Sequence, residues 1–245
     1  MLSKRDIAVA PNGSDKSSPG DKVASVPKFL LFSGLSAADC TAIISTSHEK
    51  DFSRRQNLFS IGDPVEHVFL LLSGSTKITQ VGFNGSEVIL RLCSVGDLVG
   101  MLGLWPECKH TSSAQALLPC TALTWDSAAF AKLLERFPSL RRNTFRALEQ
   151  HLQEMEQRFR EISTEDVSSR LSNELIRLSS RFGYGVDGND EVRLSHTDLA
   201  QLTGTTLSTV SRLLSRWQKL GIVSIGRTGV QIRDFAALEQ FSQSE

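Results

Sequence analysis

Between Arg193 and Arg233 six basic residues stand against a single acid, Asp198, which leaves a local charge of +5 on a chain whose 27 Lys and Arg balance 27 Asp and Glu. Arg193, Arg212, Arg216, Lys219, Arg227 and Arg233 are hydrogen-bond donors only, and a donor-rich patch with few carboxylates is the electrostatic footprint of a polyanion partner. The residues between them say which polyanion. At about 100° per residue, Val210, Leu213, Leu214 and Trp217 share one arc of a helix from about Thr206 to Leu220, and Ser208, Ser211, Arg212, Ser215 and Lys219 share the opposite arc. A short, polar, basic arc presents hydrogen-bonding tips of the kind that reads base edges in a major groove. Leu207 sits at the boundary of the two arcs, placed either to meet a thymine methyl or to close the core. The chemistry expected is non-covalent recognition of double-stranded DNA. Leu207, Ser208, Ser211 and Arg212 are expected at base edges; Ser195, His196, Thr197, Thr206, Thr209, Arg216, Lys219 and Arg227 are expected at phosphates.

Such side chains must be held by a frame, and the flanking residues supply one. Ser195-His196-Thr197-Asp198 has the spacing of a capping box, Leu199, Ala200 and Leu202 give the helix it opens an apolar face, and Gly204 suits the following turn. Gly221–Ile225 and Gly229–Arg233 flank Gly226-Arg227-Thr228 and read as a β-hairpin wing with Arg227 at its tip. Two helices and a turn are, alone, more often a structural hairpin than a DNA reader. The basic outer arc, the wing and a helix fit for pairing reverse that prior. The pairing helix is marked by Leu148, Leu152, Met155, Phe159 and Ile162, which recur at heptad spacing while Glu149, Gln150, Gln153, Glu154, Glu156 and Arg158 cover its other faces. The same spacing serves a helix packed on its own domain, yet a helix between two domains is well placed to meet its copy, so a homodimer is expected.

Upstream, from about Asp51 to Trp125, short apolar runs alternate with Gly-centred turns. Val68–Leu72 is expected to end at Ser73-Gly74. Thr76–Val81 and Glu87–Cys93 flank Phe83-Asn84-Gly85-Ser86, a strong hairpin signal, and Gly62-Asp63 and Gly96-Asp97 repeat one turn. The expected class is α+β. It comprises a flexible tail (1–26), poor in large hydrophobes, a β-roll sensor domain (27–137), a dimerisation helix (138–163) and a winged helix-turn-helix domain (164–245), with helices over 37–46 and 166–181 and a loop over Gly183–Asn189.

Other functions find little support. No apolar run exceeds Val68–Leu72, and the N-terminus lacks a continuous hydrophobic stretch, so no membrane association and a cytoplasmic location are expected. Cys40, Cys93, Cys108 and Cys120 are far apart and form no C-x-x-C pair. No H-x-H, H-x-x-x-H, Ser/His/Asp order or phosphate-cradling Gly-loop with Lys occurs, so no metal site and no catalytic residues are expected; a cupin-like metal enzyme is the remote rival.

The stretch TDLAQLTGTTLSTVSRLLSRWQKLGIV resembles the DNA-binding module of the catabolite activator / fumarate-nitrate regulator (CRP/FNR) superfamily. FSIGDPVEHVFLLLSGSTKI and SEVILRLCSVGDLVGMLGL resemble its cyclic-nucleotide-binding-type β-roll, and the likeness runs over about residues 28–235. It implies a bacterial homodimer that binds a two-fold symmetric DNA site and regulates transcription under effector control, with RNA polymerase as a further partner. Arg212 matches the family's base-reading Arg, whereas Ser208 stands where the common reader has Glu. The effector pocket implied comprises Gly100, Met101, Leu102, His110 and Thr111. Cyclic-nucleotide receptors of the family place Glu after the Gly now followed by Met101 and an Arg where His110 stands; Met cannot accept a ribose hydroxyl and a neutral His cannot clamp a phosphate as Arg does. Cyclic AMP is therefore not the expected effector. The closely spaced N-terminal cysteines of the oxygen-sensing branch are missing, which removes an N-terminal iron–sulfur cluster. Haem stays open through His48, His67, His110 and His151, each more simply an ordinary histidine, as do a redox role for Cys93, Cys108 or Cys120 and a ligand-independent regulator.

Overall fold

The computed structural model describes residues 26–102, 107–182, 191–227 and 229–242. The tail as far as residue 25, Gly103, the Gly183–Asn189 loop and Thr228 lie outside the described residues.

Two 3-10 turns, Val26–Lys28 and Leu30–Phe32, bury Leu31 and Phe32, and Ser36 then caps helix α1 (Ala37–Ile44) by accepting a bond from the Asp39 amide at 3.1 Å. An antiparallel β-roll follows: β1 (His48–Phe52), β2 (Asn57–Phe59), β3 (His67–Val81), β4 (Glu87–Cys93), β5 (Leu98–Val99) and β6 (Ser113–Asp126). The order is β1-β6-β3-β4, with β2 on β6 and β5 on β3. The two repeated turns share one geometry. Gly62 and Gly96 both have φ of +88°, and the Asp63 and Asp97 carboxylates accept the Ser60 and Ser94 amides at 2.7 Å, so Gly is required at each third turn position.

One expectation fails here. The strand that should end at Ser73-Gly74 runs on, and β3 is 15 residues long. Ser73-Gly74 is a bulge where the register against β6 shifts, not a turn. Gly74 has φ of +72°, and a Cβ there would lie 2.2 Å from the Pro119 carbonyl oxygen, so the glycine serves close strand approach.

Helix α2 (Ser127–Arg136) leads to α3 (Pro138–Thr164). Pro138 occupies the first turn, where its missing N–H costs nothing, and Phe137 before it is extended. Helix α4 (Val167–Phe182) opens the C-terminal part, where β7 (Glu191–Val192), α5 (His196–Thr203), α6 (Leu207–Lys219), β8 (Val223–Ile225), β9 (Val230–Ile232) and α7 (Phe235–Ser242) follow. The wing is three-stranded, in the order β7-β9-β8, because Glu191–Val192 adds an edge that sequence pattern did not reveal. Helix α7 was also unforeseen; it packs Leu238 on the module's core and Phe241 on Trp217, with ring centroids 5.4 Å apart. The fold is the expected α+β arrangement of β-roll, long helix and winged helix-turn-helix.

The cores do not stop at the domain limits. Ile89 and Leu92 of β4 share one cluster with Leu171 and Leu175 of α4, Leu199 and Leu202 of α5, and Val210, Leu214 and Trp217 of α6. The helix-turn-helix is therefore docked on its own β-roll. A second joint ties α3 to α4: Arg177 bridges Glu161 at 2.6 Å and Glu174 at 2.7 Å, and Arg158 reaches Glu174 at 2.9 Å.

Candidate nucleic-acid interface and effector pocket

The capping box of α5 forms as its spacing predicts. The Ser195 hydroxyl accepts the Asp198 amide at 3.1 Å, while the Asp198 carboxylate takes the Ser195 amide at 3.2 Å. Gly204, at φ of +62°, turns the chain, and Thr206 caps α6 by accepting the Thr209 amide at 3.2 Å. Val210, Leu214 and Trp217 are fully buried and Leu213 is half-buried. Opposite them Leu207, Ser208, Arg212, Ser215, Arg216 and Lys219 are exposed, as are Ser195, Thr197 and Thr206 at the two helix starts; Ser211, Thr209 and His196 are half-buried.

The charges on this face are uncommitted. Among the described residues, Arg212, Arg216, Lys219 and Arg227 make no ion pair or side-chain hydrogen bond, whereas Arg158, Arg177 and Arg181 all sit on carboxylates. Guanidinium groups left in water keep their full donor capacity for an incoming anion. One internal contact binds the face together: His196 Nδ1 lies 3.1 Å from the Ser211 hydroxyl, linking the start of α5 to the middle of α6. Sequence reasoning placed both residues on DNA but not on each other.

On α3 the seam residues Leu152, Met155, Phe159 and Ile162 are exposed, Phe159 by 74% and Leu152 by 57%, while Leu148 packs against the β-roll core. Phe145, 63% exposed, extends the stripe by one further heptad step, three residues before Leu148. An apolar stripe of this length is unusual on a monomer surface.

The five candidate effector residues differ in burial. Met101 is buried in the cluster of Leu31, Leu98 and Trp125. His110 is buried with its ring stacked on Phe59, centroids 3.6 Å apart at 7°. Burial pushes the His110 imidazole below its usual range against the opposing pull of Asp63, so it is neutral at physiological pH. Leu102 and Thr111 face solvent. Gly100 has φ of +84°, and a Cβ there would sit 2.9 Å from the His67 carbonyl oxygen.

Of the other histidines, His48 and His67 are neighbours and His151 stands apart on α3. His48 is exposed and meets the His67 ring edge-on at 6.3 Å, and His67 lies 3.7 Å from Asp126. His151 on α3 lies 2.6 Å from an Arg91 nitrogen; burial, then Arg91 and more weakly Arg181, push its imidazole down to about 4. Cys93 and Cys120 are buried, and burial raises both thiols, Cys120 to about 12, which favours the thiol over the thiolate; Cys108 is half-buried. No helix among the described residues is long and apolar enough to cross a membrane.

Comparison with known proteins converges on this architecture. The cyclic nucleotide-binding domain family matches residues 49–137, and the Crp-like helix-turn-helix domain family matches residues 169–241. The anaerobic regulatory protein of Pasteurella multocida is 30% identical over 196 residues, covering 79% of this chain and 71% of that protein. The chain belongs to the CRP/FNR family of transcription regulators. The CRP-like cAMP-activated global transcriptional regulator of Mycobacterium tuberculosis is 25% identical to this CRP/FNR regulator over 206 residues, covering 83% of this chain and 92% of the relative. In fold, the c-di-GMP-responsive regulator CLP of Xanthomonas campestris superposes with a TM-score of 0.71 at 20% identity, over 80% of this chain and 99% of that one. A CRP/FNR regulator carries a helix-turn-helix DNA-binding domain and is not an enzyme.

Proposed function

We propose that the protein binds a two-fold symmetric DNA site as a homodimer and regulates transcription from it under an effector other than cyclic AMP. The observation that carries the reading is the uncommitted basic arc of α6 over a fully buried apolar arc. Arg212, near the helix start, forks onto a guanine edge, flanked by Leu207, Ser208 and Ser211. Arg216, Lys219 and the wing's Arg227 meet phosphates, with Ser195, His196, Thr197, Thr206 and Thr209 doing so from the two helix starts. Phe145 and the seam from Leu148 to Ile162 bury against their copies.

Two features support an effector other than cyclic AMP. Met101 offers the ribose no acceptor, and the neutral His110, spent on Phe59, offers the phosphate no charge. RNA polymerase is the further partner in this reading, and the cytoplasm its location. Selection from random duplex DNA tests the core of it. An inverted repeat with half-site centres one helical turn, about 34–36 Å, apart is the expected result; a single unrepeated motif sinks the dimer reading. Titration calorimetry with cyclic AMP is expected to show no micromolar binding.

A further inference from the structure

Among the described residues two charged contacts join the β-roll to the C-terminal part: Asp97 meets Arg181 of α4 at 2.8 Å, and Lys77 meets the start of α5. The Lys77 Nζ lies 3.5 Å from Asp198 at the start of α5 and 3.2 Å from Glu87 of the neighbouring strand. The Lys77 side chain is only 11% exposed and that of Asp198 only 15%, so the pair is shielded from water far more than a surface ion pair. Asp198 is also the only acid between Arg193 and Arg233 and half of the capping box that fixes the start of α5. One carboxylate thus closes a helix cap and straps that cap to the sensor domain. Beside the strap, Ile89 and Leu92 of β4 enter the core of the DNA-binding module.

We propose that Lys77 is a positioning residue for DNA reading: through Asp198 it fixes the orientation of the helix-turn-helix on its own β-roll and so sets the separation of the two recognition helices in a dimer. The inference rests on the dimeric DNA-binding reading above. Lys77 acts by restraint. Apolar contact such as that of Ile89 and Leu92 tolerates sliding, whereas an ion pair shielded from water weakens as its charges move apart and so holds the start of α5 near Lys77. His196 ties α5 to Ser211 of α6, so the restraint is passed to the recognition helix. A dimer whose readers have a set separation discriminates half-site spacing; one whose readers swivel binds several spacings, and each less tightly.

The test uses the full-length protein and the symmetric site recovered by selection, together with versions carrying one or two base pairs inserted or deleted between half-sites. Wild type should discriminate strongly among spacings. Lys77→Ala should bind the cognate spacing about 5- to 30-fold more weakly, lose less on insertion or deletion, and remain dimeric. Lys77→Arg keeps charge and reach, so it should restore both affinity and spacing preference. Asp198→Asn, which retains an acceptor for the cap, should mimic Lys77→Ala, and the double variant should be no worse than either single one. Spacing preference is the readout that a general loss of stability would not change. If wild type itself ignores spacing, the dimeric reading and this inference fall together. If wild type discriminates and Lys77→Ala discriminates equally well, or binds the cognate site more tightly, only the role of Lys77 is overturned.

Discussion

Helices α3 and α6 each bury one face and show the other, but what they show is opposite in kind. The outer stripe of α3 is Phe145, Leu152, Met155, Phe159 and Ile162; the outer arc of α6 is Ser208, Arg212, Ser215, Arg216 and Lys219. Water already solvates the second arc well, so only a partner of opposite charge gains from covering it. Water solvates the first poorly, so any well-fitting apolar surface gains from covering it, and in the proposed dimer an identical helix supplies one. Amphipathicity places a helix, and the chemistry of its free face selects what comes to it.

The largest expected effect breaks the apolar side of this contrast. Leu152→Glu sets two carboxylates, one from each copy, into a seam whose side chains are each worth about 1.5–3 kcal/mol when buried. The dimer should dissociate at micromolar concentration by light scattering, while the secondary structure is unchanged. A variant that stays dimeric moves the interface elsewhere.

Next in size is the joint between the two helices' domains. Arg177→Ala leaves the buried Glu161 without its main cation and the buried Glu174 with Arg158 alone, and should cost roughly 2–4 kcal/mol, reduced from the full buried-pair figure because Arg177 is partly exposed. Burial raises the Glu161 carboxyl, but hydrogen bonds and charge from Arg177 outweigh it and hold the group below its usual value of 4.5. A depressed folded-state value means that the contribution is fully present above 4.5 and is lost as pH falls through the lower folded value. In Arg177→Ala burial acts unopposed by that cation, so the variant's deficit against wild type should shrink on acidification. Urea melts between pH 7 and 3 give both numbers; a deficit that grows towards low pH contradicts the pairing.

The polar side is probed more gently. Arg212→Ala should lose about 1–3 kcal/mol per half-site and flatten the preference at one base pair of each, measured by binding selection. Unchanged base preference means that the helix is not in the groove as proposed. Smallest is Arg227→Ala, which should weaken all sequences alike and lower the salt slope by about one for each phosphate that Arg227 neutralises, or about two per dimer. A change in base preference there, with no change in slope, would assign the wing to bases instead.

The local features of the protein follow from its sequence alone. Helix periodicity separated Val210, Leu214 and Trp217 from Ser208 and Arg212, and the cap at Ser195, the Pro138 start and the paired Gly62 and Gly96 turns were legible because each rests on residues within a few positions of one another. Other features wait for residues far apart in the chain to meet. Ser73-Gly74 looks like a turn until Pro119 and Cys120 arrive beside it from β6 and make it a bulge. Val192 shows no strand pattern of its own until β9 offers it a partner. Lys77 and Asp198 have no sequence relation, nor do Arg91 and His151, and no periodicity links them. The reason is one of range. Dihedral preference, capping and amphipathicity act within a few residues, whereas charge pairing and strand approach depend on distances that the chain sets only when the whole fold closes.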